Sequence, residues 1–197
     1  MTESDPSEVP VPIREAATVV LLRDTAEGPE VFLQRRVTSM VFAAGMTVFP
    51  GGARDADDAD LLATAVRETE EETGVVISRD DLTAWSRWIT PPGEIRRYDT
   101  LFFVAALPPG QEPQAQGGEM DSTVWLRPAE ALARVSRHEL LMLPPTFVTL
   151  RELAVHGCVA DVLTAAARRR VEPIEPRLFM DDEGIGVELP DGEVLRP

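Results

Sequence analysis

Lysine is absent from this 197-residue chain: all nineteen basic residues are arginines, set against thirty-four acids for a net charge of −15. Without lysine there is no Schiff-base nucleophile, no pyridoxal-phosphate attachment point and no P-loop lysine. The shortage of positive charge argues against a nucleic-acid partner, which needs a basic footprint to displace counterions from phosphates. It argues equally against docking on an anionic membrane surface. Cysteine is nearly absent too: Cys158 has no partner for an internal disulfide, and with His138 and His156 far apart a Cys/His zinc site is not expected. The opening residues, Met1-Thr2-Glu3-Ser4-Asp5-Pro6, lack the basic and apolar regions of a signal peptide, and no apolar run approaches bilayer length. The expectation is a soluble, cytoplasmic protein, long enough for one domain with an appendage and a sizeable core.

What is present alternates strands and helices. Residues 1–14, rich in Pro, Ser and acid, read as a loose arm. Ala16-Ala17-Thr18-Val19-Val20-Leu21-Leu22 is a short β-branched apolar run of the kind that forms a buried strand, and Val31 to Arg36 reads as its hairpin partner across a longer loop. Thr47-Val48-Phe49-Pro50-Gly51-Gly52 is a strand stopped by proline and paired glycines. A helix is predicted over 59–73, with Leu62, Ala65, Val66 and Thr69 on one face and Gly74 as C-cap. Strands at 83–90, 98–107 and 121–126 follow, with 108–118 as an exposed loop and Pro128 opening a helix to about Ser136. Helices are predicted over 145–156 and 159–170, and a short hairpin around Leu189 to Glu193. This order suggests an α/β sandwich with a mixed sheet and a C-terminal helical extension.

The chemistry concentrates in Arg67-Glu68-Thr69-Glu70-Glu71-Glu72-Thr73-Gly74. On a helix, positions 68, 71 and 72 share one face, where three carboxylates repel one another unless something cationic sits among them. Hard oxygen donors without His or Cys favour Mg²⁺ or Mn²⁺ over zinc. The plainer alternative is a solvated acidic face. Here the cluster lies between a strand ending in Phe-Pro-Gly-Gly and a capping glycine, and Arg67 can orient a neighbouring carboxylate.

Gly52 to Val75 resembles the signature of the Nudix hydrolases, G-x5-E-x7-R-E-U-x-E-E-x-G-U with U apolar. The match from Arg67 to Val75 is close. Between Gly52 and Arg67 there is one residue more than the pattern allows, so its first glutamate is missing or replaced by Asp57 or Asp58, and Thr69 stands where an aliphatic residue is usual. The resemblance implies a Nudix-type α/β/α sandwich, with the Nudix domain over 15–140 and residues 141–197 as a helical extension and tail packed on it. It also implies metal-dependent hydrolysis of a diphosphate in a nucleoside diphosphate derivative. Glu68, Glu71 and Glu72 would be metal ligands, one of them, Glu68 for instance, also a base, and Arg67 part of the catalytic group. Many relatives supply another acid before a late strand, and Glu119 fits that place.

Arg35 with Gly45-Met46-Thr47-Val48-Phe49-Pro50-Gly51-Gly52 is similar to Nudix enzymes that cleave coenzyme A, although Ala43 stands where the bacterial pattern carries histidine. Trp88-Ile89-Thr90-Pro91, Arg97 to Phe103 and Leu143-Pro144-Pro145-Thr146 are similar to the longer CoA-hydrolysing Nudix proteins of peroxisomes. CoA or acyl-CoA is therefore the favoured substrate, ADP-ribose or NADH the alternative, and a non-catalytic nucleotide-sensing module the reading from a different class. Arg35, Arg36, Arg96 and Arg97, with Gly51 and Gly52, are the candidate substrate contacts, the arginines through guanidinium forks on phosphate. For Arg96 and Arg97 the plainer reading is an ion pair with Glu94 or Asp99. Met40, Phe42 and Met46 would line a pocket or fill core, Trp85, Trp88 and Trp125 would be core, and Arg168 to Arg170 would close a helix C-terminus. A homodimer is among the expected assemblies.

Overall fold

The computed structural model describes residues 11–38, 43–116 and 118–196, so the expectations for Met40 and Phe42, and for most of the 1–14 arm, lie outside the described residues. The first strand, β1 (Ile13–Thr25), already takes in residues 13 and 14 of that arm. Its centre is apolar at every position because it is covered on both faces. Side chains alternate along a strand, so Ala17, Val19 and Leu21 enter one hydrophobic cluster while Val20 and Leu22 enter another. β1 and β2 (Gly28–Arg36) form a tighter hairpin than the sequence suggested. Their pairing continues to Thr25 opposite Gly28, which leaves only Ala26 and Glu27 in the turn.

The remaining strands are β3 (Thr47–Val48), β4 (Gly51–Ala53), β5 (Thr83–Ile89), β6 (Arg97–Ala106), β7 (Met120–Leu126) and β8 (Pro173–Ile174). The sheet runs β3-β2-β1-β6-β5-β8, with β4 paired to β1 and β7 to β2. It is mixed: β1 with β6 and β5 with β8 are parallel, the other pairs antiparallel. Helix α1 (Leu61–Thr73) packs on one face, against the cluster of Ala17, Val19, Leu21, Phe32, Phe103 and Ala105. On the other face lie α2 (Pro128–Ser136), α3 (Pro144–Leu153) and α4 (Val159–Arg168), whose Ala131, Leu150, Leu153, Val162 and Ala166 share a cluster with Trp85 and Trp88. This is an α/β/α sandwich with a mixed sheet. Helices from the 141–197 segment thus contribute to the main core itself, and so does Leu189 from the tail. The tail folds as a three-stranded antiparallel sheet of β9 (Arg177–Asp181), β10 (Gly184–Glu188) and β11 (Val194–Leu195), of which the sequence suggested only the last turn.

Three local features position the helix that carries the acids. Asp60 caps α1 by accepting from the backbone N–H of Ala63 at 2.9 Å, so the helix begins at Leu61 rather than 59. Gly74 closes it in the left-handed conformation (φ 73°) that only glycine adopts without steric cost. Of the predicted face, Ala65 and Thr69 are buried and Leu62 and Val66 are half-buried against the same cluster, and the buried stripe also takes in Thr64 and Thr73. Threonines can line that stripe because their hydroxyls are satisfied: Thr69 and Thr73 donate to the carbonyls of Ala65 and Thr69, and Thr64 donates to Asp58. The expected exposed loop at 108–118 is in part a strap. The N–H groups of Gln114 and Gln116 donate to the last α1 carbonyls, Thr73 and Glu72, at 3.0 Å each.

Candidate active site

The site forms where β4 meets α1. Gly51 and Gly52 pair with Thr18 and Ala17 of β1, and the close approach explains both glycines. A Cβ at Gly51 would lie 2.3 Å from the carbonyl oxygen of Ala17, and one at Gly52 would lie 2.4 Å from Oε1 of Glu68. The first glycine lets two backbones approach; the second makes room for a carboxylate. Both were expected to contact substrate, and the structure gives them these packing roles.

Glu72 reaches back from the helix to this turn. Its Oε2 accepts from the Gly51 N–H at 2.9 Å and from Nε2 of Gln34 on β2 at 2.6 Å. Burial, with the neighbouring charge of Glu68, pushes the Glu72 carboxyl up to about 7 although those donors and Arg36 oppose the shift. Burial also raises Glu68, against the pull of Arg67. Glu71 is the exposed member of the trio.

Arg67 organises the other side. Its guanidinium makes a fork on Asp58, with Nε to Oδ1 at 3.0 Å and Nη2 to Oδ2 at 2.8 Å. Nη1 donates to Glu68 at 2.8 Å and to Glu71 at 3.1 Å, and Nη2 also donates to the Ala53 carbonyl. Asp58 is buried and also accepts from the Asp55 N–H and the Thr64 hydroxyl, so its carboxyl is held far below the ordinary range, chiefly by Arg67. The two candidates for the altered glutamate position therefore separate: Asp58 anchors Arg67, while Asp57 is exposed. The helix runs from Leu61 to Thr73 without interruption, so Glu68, Glu71 and Glu72 keep the helical spacing read from the sequence.

Among the described residues no three acidic or imidazole side chains converge closely enough to enclose a metal ion as they stand. The donor chemistry nevertheless suits a hard divalent cation. Glu68, Glu71 and Glu72 each engage one carboxylate oxygen with Arg67, Gly51 or Gln34, leaving the other without a hydrogen bond from the described residues. Burial is the main cause that raises Glu68 and Glu72, and neighbouring acids add to it, Glu71 and Asp55 at Glu68 and Glu68 at Glu72; a cation would offset both effects. Glu119, the fourth expected ligand, is exposed, with its carboxylate 4.0 Å from Nη2 of Arg36.

The four candidate arginines divide. Gln34 and Arg36 lie on the face of β2 that meets α1, the face of Phe32, whereas Arg35 alternates to the other side. Arg35 makes a two-point contact with Asp121, 2.8 Å on each arm. Arg97 forms an ion pair, the plainer of its two readings, but with Glu175 of the tail at 2.6 Å, and also donates to the Thr90 carbonyl; Asp99 pairs with Arg87. Arg96 is exposed, with no ion pair among the described residues. Arg36 alone of the four faces the carboxylates, and its Nε is buried without a hydrogen-bond partner among the described residues. Sequence reasoning missed Gln34. Its signal is a polar residue in a strand otherwise apolar on that face, two positions after Phe32 and two before Arg36.

Elsewhere, Trp85 and Trp88 are buried in the core, Trp125 packs edge-on against Phe32 under the Arg23 guanidinium, and Met46 is half-buried. Of the three-arginine run, Arg168 ends α4, Arg169 bonds Glu152 and Arg170 pairs with Glu172. Cys158 is a half-buried free thiol at the N-cap of α4. No helix among the described residues is long and apolar enough to cross a membrane.

Comparison with known proteins bears on this geometry. A family model described as the NUDIX domain matches residues 12–144. The acyl-coenzyme A diphosphatase NUDT19 of Gallus gallus is 33% identical over 126 residues, covering 59% of this chain and 32% of that protein. The uncharacterized Nudix hydrolase NudL of Cronobacter sakazakii is 31% identical over 129 residues, covering 65% of this chain and 64% of that protein. The matched segment thus spans about a third of the length of NUDT19. Among solved structures, a NUDIX hydrolase from Alicyclobacillus acidocaldarius superposes with a TM-score of 0.69 at 27% identity, covering 80% of this chain and 96% of that one.

Proposed function

The chain belongs to the Nudix family, and on that footing we propose that it is a metal-dependent hydrolase of a diphosphate linkage in a nucleoside diphosphate derivative, with CoA or an acyl-CoA as substrate. The observation that carries the reading is the carboxylate face of α1. Glu68 and Glu72 are drawn against the Gly51-Gly52 turn, Arg67 is locked on Asp58, and one oxygen of each of Glu68, Glu71 and Glu72 is left for a cation. In this reading those three glutamates hold Mg²⁺ or Mn²⁺. When bound, that ion neutralises the diphosphate and lowers the pKa of a coordinated water. Arg67 keeps Glu68 and Glu71 in register. Burial keeps Glu68 readier to take a proton than an ordinary carboxylate, which suits it as the base. In a chain without lysine, Arg36 is the side-chain cation for substrate phosphate, because it faces the carboxylates, its Nε has no hydrogen-bond partner among the described residues, and Arg35 and Arg97 are already engaged. The naming of NUDT19 as an acyl-coenzyme A diphosphatase supports the substrate choice.

The test is a screen of diphosphates with Mg²⁺, with products identified by mass. Release of 3′,5′-ADP from CoA is expected; AMP from ADP-ribose with nothing from CoA would reassign the substrate. Glu71→Gln and Glu72→Gln are expected to lower metal-dependent kcat at least a hundredfold, the order expected when charge stabilisation in the transition state is lost. Turnover left intact in both would remove these residues from the site.

A further inference from the structure

The hydrogen bond from Gln34 to Glu72 is the shortest contact made by any of the three glutamates, and its donor is 1% exposed. Gln34 sits in β2 between Leu33 and Arg35, on the face where Phe32 is fully packed two residues earlier. An apolar side chain would satisfy the fold there. The amide instead leaves its own Oε1 buried without a hydrogen-bond partner among the described residues. A buried acceptor without a partner is costly, so the bond made by the other end of the amide must offset it. The orientation follows from the chemistry: only the NH₂ end can face an ionised carboxylate, because the carbonyl end would repel it.

We infer that Gln34 is a positioning residue: together with the Gly51 N–H it saturates Oε2 of Glu72 and so fixes Oε1 as the oxygen that this carboxylate presents to the site. Two donors 2.9 and 2.6 Å from one oxygen define the plane of the carboxylate from both the turn and the sheet. Glu68 and Glu71 are held differently, by a single shared guanidinium nitrogen, and Glu71 is exposed. Glu72 is accordingly the rigid member of the trio, and Gln34 is the side chain that makes it so. The inference rests on the reading that Glu72 holds the cation.

Gln34→Met matches the length of the side chain without its donor, and Gln34→Asn keeps the amide but is one methylene too short to span the bond. Three measurements apply to each: Mn²⁺ binding by titration calorimetry, the rise in Tm that Mg²⁺ produces, and kcat and KM separately. Loss of one charge-assisted hydrogen bond predicts Mn²⁺ affinity and kcat each lower by about tenfold, KM little changed, and a smaller Mg²⁺-induced rise in Tm. The metal-free Tm should stay within a few degrees of the parent, a result that a merely structural role would not give alongside the other losses. Folded Gln34→Met or Gln34→Asn that binds Mn²⁺ and turns over like the parent would overturn the positioning role. Glu72→Gln separates the two levels. If it too leaves Mn²⁺ binding intact, the cation reading fails; if it alone abolishes binding, only the role of Gln34 fails.

Discussion

At the scale of single residues, the site is a set of buried charges whose pKa shifts have opposite signs, and pH separates them. Asp58 is ionised and forked by Arg67, so its carboxyl lies below its unfolded value of about 4. The stability it contributes is fully present above that value and is lost as pH falls toward the folded pKa. Asp58→Asn should therefore flatten the acid limb of a Tm-versus-pH curve between pH 5 and 2. Arg67→Ala, which strands the buried Asp58, should cost about 3 kcal/mol in urea unfolding, a figure at the low side for a buried pair because the arginine is partly solvated. Glu72 runs the other way: burial holds its carboxyl at about 7. Between its unfolded value of about 4 and that pH the folded state binds the extra proton, so metal-free stability should decline as pH rises. Glu72→Gln is expected to abolish that decline; an unchanged slope from pH 5 to 8 would mean that Glu72 is not the group responsible. The glutamates themselves were legible because helical spacing alone places 68, 71 and 72 together. The division of labour between Asp57 and Asp58 was not, since it depends on which of the two side chains the turn before Asp60 directs at Arg67.

At the scale of elements, β4 is three residues long, yet it sets the geometry of the site, and its two glycines are constrained by different neighbours. A methyl group at Gly51 would meet backbone on β1, which cannot move without breaking the pairing with Thr18. Gly51→Ala is expected to destabilise the fold by 3 kcal/mol or more, in the upper range seen for single substitutions, measured by urea unfolding. A methyl group at Gly52 would meet only the end of the Glu68 side chain, which can swing aside. Gly52→Ala should then keep the Tm within a few degrees and lower kcat by about tenfold or more, since displacement of a catalytic group by an ångström is enough. Equal stabilities for the two variants would remove this distinction. The same contrast marks what the sequence could reveal. Strand and helix identities followed from local periodicity and from the capping glycine at 74. The buried face of α1 followed only in part: Ala65 and Thr69 were on the predicted face, but Thr64 and Thr73 are polar by composition and became core only when their hydroxyls found partners at Asp58 and Thr69. Nor could spacing show that Arg35 answers Asp121 or that Arg97 answers Glu175, pairings made across 86 and 78 residues of chain.

For the molecule as a whole, a net charge of −15 is the dominant electrostatic fact, and most of the arginines are already committed to ion pairs. The excess acids therefore repel one another with little internal compensation, and ten of them fall between Asp55 and Asp81. Repulsion of this kind is long-ranged and is screened within about 10 Å at 0.1 M salt. The exposed ion pairs that salt also weakens contribute only about 0.2–1 kcal/mol each. Added NaCl should therefore raise the Tm from low salt, by screening alone and with no dependence on Glu72. A divalent cation acts in a second way if the carboxylate face of α1 receives it, because binding to the native state adds stability that grows with the logarithm of its concentration once that exceeds the Kd. At equal ionic strength MgCl₂ should thus raise the Tm further than NaCl, by an increment that Glu72→Gln lacks and Asp57→Asn, an exposed acid outside the site, retains. If the two salts superimpose at matched ionic strength, the acidity of the 55–81 region is only a surface property, and the glutamates on α1 do not gather a metal. If they separate, the acidic excess of the chain has a local purpose: a lysine-free protein meets an anionic substrate through a cation held by its own glutamates, with Arg36 beside it.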